Sequence, residues 1–360
     1  MNSIAADAPM LSVAVVQVGS TMFDTAATLN RAITWVRRAA EQGARLIVLP
    51  EALLGGYPKG LDFGVRVGSR DPAGRREFQR YWDAAIDVPG PQTHALSELA
   101  RELGVTLIIG AVERVGRTLH CVALLISPDH TEPLIHRKLM PTAAERVIWG
   151  TGDGSTMPVL PLHTQGSGST AGDVWGVGSA ICWENYMPLF RAAMYAKGVD
   201  IWCAPTVDDR DSWLATMRHI AVEGRCFVLS ACQYLEREGL PPDVHPIQGD
   251  VPGTVLISGG SVIVSPFGEV LAGPLREGEG MLAARLDLRQ LAQARMDLDV
   301  IGHYARPDIF QLTVDERPRV AVRRHIGVGQ RETGAFLGER AGHAEPDALG
   351  TPGDEHGSSC

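Results

Sequence analysis

Apolar and polar positions along the chain fall into two similar strand–helix–strand units. In the first, the apolar run 11–18 precedes a segment, 25–41, whose apolar residues recur every three or four positions, and the apolar run 46–49 follows. The second unit has the same plan over 174–204, with a helix opened by Pro188 between two apolar runs. Two such units predict an α/β protein with a mostly parallel sheet covered by helices.

Shorter patterns predict the elements between and after these units. Helices are expected at 95–103 and 212–223, and strands at 106–111, 119–126, 133–137, 227–232, 261–264 and 270–272. Since no linker rich in Gly, Ser or Pro divides the chain earlier, we expect one domain over residues 1–315. Residues 316–360 form a C-terminal extension, whose Gly-rich and acidic composition predicts a disordered tail from about residue 338.

Composition narrows the class of protein. With 33 basic and 42 acidic residues, the net charge of −9 argues against nucleic acid or an anionic membrane as a partner. No run of about 18 apolar residues is present, and the N-terminus lacks a signal-peptide pattern. Six cysteines without C-x-x-C spacing fit neither a disulfide scaffold nor a metal site. We therefore expect a reduced, cytoplasmic protein.

Candidate chemistry lies where apolar strands end. The chain lacks a nucleophile elbow, an H-E-x-x-H motif and a P-loop, and the glycine-rich stretch 150–154 does not separate a strand from a helix. Three polar residues, however, each follow a predicted strand directly, namely Glu51, Lys138 and Cys182. Ligands of open α/β sheets gather at the carboxyl ends of strands, which makes these positions candidates for a site.

Taken one at a time, each of these residues also has an ordinary structural interpretation. A cysteine at a strand end is usually a small buried hydrophobe, and the glutamate and the lysine could lie at a solvated rim. Together they form a chemical set. A thiol attacks only as a thiolate, a carboxylate such as Glu51 can take its proton, and an ammonium such as Lys138 can stabilise developing negative charge.

The sequence around these residues resembles the nitrilase superfamily. Segments 49–60, 136–155 and 181–206 are similar to its three signature regions in order and spacing. The tetrapeptide C-W-E-N at 182–185, and the Gly-Gly-Tyr-Pro that follows the glutamate, resemble the true nitrilase branch more than amidases or carbamoylases. Further matches occur at 223–233, 259–274 and 303–310. The resemblance covers about residues 11–315.

This resemblance implies a four-layer αββα sandwich and a set of catalytic roles. It assigns Cys182 as the nucleophile, Glu51 as the general base and Lys138 as the electrostatic stabiliser, and it adds Glu145 as a second glutamate. Without the resemblance, Glu145 would be interpreted as an exposed residue near a loop. The implied reaction hydrolyses a nitrile to the carboxylic acid and ammonia through a covalent cysteine thioimidate and thioester, with no metal or organic cofactor.

The flanking residues are candidates for the substrate pocket. By resemblance, the backbone N–H of Trp183 helps to stabilise the developing charge. Pocket walls are expected from the side chains of Tyr57, Trp149, Trp183, Pro205 and Thr206, although ordinary core packing is an equally good interpretation of each. Aliphatic, arylaliphatic and aromatic nitriles, dinitriles and cyanide all fit the chemistry.

Other groups are interpreted as structural, and other functions stay open. The acidic run 208–211 is expected to be a solvated turn, and the remaining cysteines within strands are expected to be inert. An amidase or a nitrile or cyanide hydratase of the same superfamily is the nearest alternative, and a non-catalytic assembly protein is a remote one. The resemblance also implies a homo-oligomer, built from dimers that extend into spirals or filaments.

Overall fold

Two β-sheets lie face to face in the computed structural model, which describes residues 9–163 and 174–319. The strands are β1 (Met10–Gln17), β2 (Leu46–Val48), β3 (Val65–Arg66), β4 (Ser69–Arg70), β5 (Thr106–Val115), β6 (Thr118–Ile126), β7 (Leu134–Arg137), β8 (Val159–His163), β9 (Val174–Ser179), β10 (Ile201–Thr206), β11 (Phe227–Cys232), β12 (Tyr234–Glu236), β13 (Val255–Val264), β14 (Val270–Arg276) and β15 (Gly280–Asp287). The helices are α1 (Thr25–Glu41), α2 (Pro72–Ala84), α3 (Pro91–Leu103), α4 (Pro188–Ala196), α5 (Asp211–Gly224) and α6 (Arg289–Asp297).

Each sheet combines a parallel centre with antiparallel flanks. The first has the order β15-β1-β2-β5-β6-β7, in which β1, β2 and β5 are parallel. The second has the order β12-β13-β11-β10-β9-β8, with β14 beside β13, and here β9, β10 and β11 are parallel. The predicted mostly parallel sheet is therefore wrong. Each strand–helix–strand unit supplies two parallel strands, to which β5 in the first sheet and β11 in the second add a third. Hairpins and returning strands, which pair antiparallel, extend both sheets.

Successive side chains of β1 point to opposite faces of the first sheet, which explains why four layers form. Val13 and Val15 face the second sheet, in a shared apolar layer, whereas Ala14 and Val16 face the helices α1 and α3. On the far side, α4 and α5 cover the second sheet through buried aromatic side chains such as Trp213. Because strands of both sheets are buried on two faces, they appear in the sequence as continuous apolar runs. The expected αββα sandwich is confirmed.

Local signals located several helix ends correctly. The Asp24 side chain accepts a hydrogen bond of 2.8 Å from the backbone N–H of Ala27 at the start of α1, and Gly104 ends α3 in the left-handed conformation. By contrast, sequence reasoning missed α2, β8, β15 and α6. The first half of α2 contains no large apolar residue, and its large apolar residues fall within 78–84, so the apolar period is too short to indicate a helix.

Neither end of the chain is described. No helix within residues 9–163 and 174–319 is long and apolar enough to cross a membrane. The predicted domain boundary at residue 315 stays a prediction, and the tail predicted from residue 338 lies outside the described residues.

Candidate active site

Strand directions bring the candidate residues to one edge of the sandwich. Glu51 follows β2, and Lys138 follows β7, which runs in the same direction as β2 because two antiparallel pairings separate it from β5. Cys182 and Thr206 lie at the ends of β9 and β10, which are parallel to each other. Four separate strands thus deliver the residues of one site, in keeping with the general location of ligand sites in α/β sheets.

Lys138 lies between two carboxylates. Its Nζ donates hydrogen bonds of 2.7 Å to Oε1 of Glu51 and 2.7 Å to Oε2 of Glu145. The side chains of Lys138 and Glu51 are completely buried, and the Lys138 ammonium lies 5.6 Å from the centre of the Trp149 ring. A buried ammonium that is shared by two carboxylates has its charge compensated and its position fixed.

Glu145 is held by three donors. It lies in a short 3₁₀ helix, Ala143–Val147, where Oε2 accepts from Nζ of Lys138 and, at 2.6 Å, from the backbone N–H of Thr142. Its Oε1 accepts from the hydroxyl of Tyr57 at 2.8 Å. The interpretation of Glu145 as exposed, which the sequence alone favours, is wrong: its side chain is 9% exposed. Tertiary hydrogen bonds, which local sequence does not reveal, draw it inward.

Glu51 is fixed through its backbone and keeps one free oxygen. Nε2 of Gln233 donates to its carbonyl oxygen at 2.7 Å, and the thiol of Cys121 lies 3.7 Å from Oε1. Oε2 is buried and has no hydrogen-bond partner among the described residues. A buried carboxylate oxygen without a partner is unusual, and it is available to a proton from a nearby group.

Cys182 begins a sharp turn at the end of β9. Its φ of 49° lies in the left-handed region, which non-glycine residues seldom adopt outside functional sites. The Asn185 side chain stabilises this turn by donating to the carbonyl oxygens of Ala180 at 3.0 Å and Cys182 at 2.7 Å. The Thr206 hydroxyl donates to Sγ at 3.3 Å. The buried thiol is thus presented by strained backbone that its neighbours hold in place.

Burial and charge set the protonation states of the cluster. Burial raises the pKa of Glu51 to about 7, because the nearby Lys138 ammonium compensates it only in part. Burial likewise raises the pKa of the Cys182 thiol, and the negative charge of Glu51 raises it further. At Lys138 burial alone would lower the pKa, but the surrounding negative groups outweigh it and the pKa is raised. The resting cluster therefore holds a thiol, an ammonium and a base that titrates near neutrality.

The predicted pocket residues do not all have the same environment. Tyr57 and Trp149 pack edge to face beside the cluster, with ring centres 5.8 Å apart. Thr206 and Pro205 are buried in β10. Trp183 is different, since it is 42% exposed.

Asp208 holds Trp183 and corrects one expectation. Its Oδ2 accepts a hydrogen bond of 2.9 Å from Nε1 of Trp183, and the Arg210 guanidinium lies over the indole ring. The run 208–211 is therefore not wholly a solvated turn, because its first residue is only 7% exposed.

A cavity of about 1060 Å³ lies beside the cluster. Apolar side chains including Phe63 and Ile148 line it, together with Glu77 and other charged residues. Tyr57 and Glu145 line it as well, so the hydrogen bond between them links the cavity to the Lys138 cluster. Among the residues described, no three potential metal ligands are grouped as a metal site.

Two buried polar residues of the site were missed by sequence reasoning. Gln233 binds the Glu51 backbone, and His136 binds a side chain of the Cys182 turn. Gln233 directly follows the apolar strand β11, so the rule that identified Glu51 also applies to it. His136 lies inside β7, where nothing in the sequence distinguishes it from an ordinary half-buried strand residue.

Comparisons with known proteins identify the family of this chain. The carbon-nitrogen hydrolase family model matches residues 12–296. An aliphatic nitrilase of Sinorhizobium fredii is 52% identical over 310 residues, which cover 86% of this chain and 97% of the relative. The bifunctional nitrilase/nitrile hydratase NIT4A of Lupinus angustifolius is 48% identical, over 87% of this chain and 88% of its own.

Solved structures share the fold. Nit3 of Saccharomyces cerevisiae, described as a member of branch 10 of the nitrilase superfamily, aligns with a TM-score of 0.59 at 21% identity, over 82% of this chain and 97% of that one. An amidase from Nesterenkonia sp. aligns with a TM-score of 0.55 at 22% identity, over 83% and 98%. With sequence relatives near 50% identity and the matching family model, this chain belongs to the carbon-nitrogen hydrolase family and, within it, to the nitrilase branch.

Proposed function

We propose that this protein is a nitrilase, which hydrolyses an organic nitrile to the carboxylic acid and ammonia. One observation carries the proposal: Lys138 bridges two buried glutamates beside the buried thiol of Cys182, in a chain 52% identical to an aliphatic nitrilase. The cluster combines a nucleophile, a base and a fixed positive charge.

The first step forms a carbon–sulfur bond. Glu51 takes the thiol proton of Cys182, and the thiolate attacks the nitrile carbon while one C–N π bond opens toward nitrogen. The Lys138 ammonium stabilises the charge on that nitrogen, and the proton that Glu51 took from the thiol is transferred to the nitrogen to complete the thioimidate. Low polarity around the buried cluster strengthens this electrostatic effect.

Water then releases the two products in turn. A first water adds to the thioimidate carbon, and the tetrahedral intermediate expels ammonia to leave a thioester on Cys182. A second water, deprotonated by Glu51, attacks the thioester and frees the carboxylic acid and the thiol. Two waters are consumed for each nitrile, and the enzyme returns to its starting state.

Amide release is a second outcome of the same intermediate. If the carbon–sulfur bond breaks before ammonia leaves, the product is the amide and only one water is consumed. A relative at 48% identity carries the name bifunctional nitrilase/nitrile hydratase, which favours a measurable amide fraction here.

A panel of substrates tests the function. Aliphatic, arylaliphatic and aromatic nitriles, dinitriles, cyanide and the matching amides are incubated with the protein, and acid, amide and ammonia are quantified together. Acid and ammonia from at least one nitrile are expected. Activity on amides alone would identify an amidase, and no turnover of any substrate would favour a non-catalytic assembly protein.

Activity should depend on pH through Glu51. The carboxylate must be deprotonated to accept the thiol proton, and burial raises its pKa to about 7. We therefore expect kcat/KM to rise with pH through an acidic limb centred near 7. A pH–rate profile measures this directly, and a limb centred near the ordinary glutamate value of 4.5 would contradict the assignment.

Tyr57→Phe should lower kcat about tenfold. The change removes the 2.8 Å hydrogen bond to Glu145 but keeps the ring against Trp149, and hydrogen bonds to charged groups contribute about 1.5–3 kcal/mol. The matched control is Tyr195→Phe on α4, which removes a 2.9 Å hydrogen bond to Glu223 of α5 and should leave kcat unchanged. Equal losses in both variants would contradict a role for Tyr57 in the site.

We also propose a cytoplasmic homo-oligomer built from dimers. Two exposed apolar side chains, Tyr186 just before α4 and Leu189 in its first turn, support a protein partner on this surface. The free buried thiols support a reducing location. Light scattering during size-exclusion chromatography tests the assembly, and a monomer at micromolar concentration would contradict it.

A further inference from the structure

Glu184 connects the two chain segments that carry Lys138 and Cys182. Its carboxylate is completely buried. Oε1 accepts a hydrogen bond of 2.6 Å from the backbone N–H of Leu139, the residue after the lysine. Oε2 accepts one of 2.7 Å from the backbone N–H of Ile181, the residue before the cysteine.

No strand pairing sets the distance between these segments. β7 belongs to the first sheet and β9 to the second, so no backbone ladder joins them. The Glu184 carboxylate, in contrast, binds an amide of each segment within one residue of the reacting groups. Through these two hydrogen bonds, the Glu184 side chain connects the first sheet to the second next to the reacting groups.

His136 supplies the third bond to this carboxylate. Its Nε2 lies 2.9 Å from Oε2 of Glu184, and its Nδ1 lies 2.7 Å from the carbonyl oxygen of Thr156. The ring is buried and stacks on Phe190 of α4, with centres 5.5 Å apart. Glu184 is the charged group that faces it, and the Thr156 carbonyl and the Phe190 ring complete its surroundings.

The contacts of His136 define its protonation. A carbonyl oxygen only accepts, so Nδ1 carries a proton. The Glu184 carboxylate accepts from two backbone N–H groups, and Nε2 of His136 donates to it as the third partner, so both ring nitrogens carry protons. Burial alone would lower the pKa of His136, but the charge and hydrogen bond of Glu184 outweigh burial and raise it.

We propose that His136 and Glu184 are positioning residues, a buried imidazolium–carboxylate pair that holds Leu139 and Ile181 and thereby sets the spacing between the Lys138 ammonium and the Cys182 thiol. The inference rests on the proposed nitrile hydrolysis at Cys182. Neither residue touches the reacting atoms, so their effect acts through the geometry of attack, where a displacement of about 1 Å costs on the order of 10²-fold in rate.

Glu184→Gln tests this role. The amide keeps the size of the side chain but offers a single acceptor oxygen for two backbone N–H groups. We expect kcat for a nitrile to fall about 10²-fold while KM changes little, because the cavity beside Tyr57 is untouched. The matched control is Glu113→Gln on β5, which removes a buried carboxylate that accepts a hydrogen bond of 2.6 Å from Arg137 of β7 and should keep kcat within about threefold.

The outcomes separate this inference from the proposed function. Unchanged kcat in folded Glu184→Gln, with Cys182→Ala inactive, overturns the positioning role and leaves the function intact. Turnover by Cys182→Ala overturns the function itself. If Glu184→Gln does not fold, ¹⁵N spectra of histidine-labelled wild-type protein decide, since His136 is the buried histidine of the described residues. Two protonated ring nitrogens above pH 7 support the pair, and a neutral ring overturns it.

Discussion

Cys182→Ala is expected to reduce nitrile turnover by roughly 10⁴-fold or more while leaving the fold intact. Removing the nucleophile of a covalent mechanism removes the thioimidate and the thioester together, and losses of this size are typical of such deletions. The site tolerates alanine sterically, because the change deletes one sulfur atom from a turn that Asn185 stabilises through backbone carbonyls.

Ammonia release measures the loss of nitrile turnover, and circular dichroism measures whether the fold is intact. The control is Cys226→Ala, which deletes an equally buried thiol whose sulfur lies near a carbonyl oxygen of α5. It should retain wild-type turnover. Residual activity of Cys182→Ala within tenfold of wild type would show that another residue is the nucleophile.

Lys138→Arg should also inactivate the enzyme, by about 10³-fold, although the positive charge is conserved. Nζ of Lys138 reaches Glu51 and Glu145 at 2.7 Å each inside a fully buried site, and a planar guanidinium is larger and places its donors differently. Overpacking of this kind costs about 1–3 kcal/mol of unfolding free energy. Displacement of the charge from the substrate nitrogen accounts for the loss of rate.

Lys197→Arg provides the comparison for this substitution. Lys197 is partly exposed and donates to the carbonyl oxygen of Met157 at 2.8 Å, a contact that arginine can also make. Turnover and urea unfolding of this variant should match the wild type. If Lys138→Arg retained wild-type kcat, the compact ammonium could not be the stabilising group.

The fold could be predicted from the sequence where burial gives the apolar residues a regular spacing. The two strand–helix–strand units were confirmed because both faces of β1 and β2 are buried and α1 has a clear apolar stripe. Helix α2 was missed because its large apolar residues fall within its second half, 78–84, where they give too short a period to indicate a helix. The prediction of a mostly parallel sheet was wrong because an apolar run shows that a strand is buried, but not whether its neighbours in the sheet run parallel or antiparallel to it.

Site residues were predictable to different degrees. Glu51, Lys138 and Cys182 each follow a strand, so position alone identified them, and the structure brings them together as expected; their catalytic roles stay predictions. Glu145 needed the family resemblance, since it lies seven positions after Lys138 in a segment without a strand or an α-helix. The bond between His136 and Glu184 could not be inferred, because a contact between two sheets depends on how the sheets pack.

Acid-quenched mass spectrometry of the enzyme during nitrile turnover shows whether Cys182 forms the covalent intermediate. We expect the peptide containing Cys182 to gain the mass of the nitrile, as a thioimidate, or of the acyl group, as a thioester. Modification of a different residue, or an unmodified Cys182 at every quench time while ammonia accumulates, would contradict it.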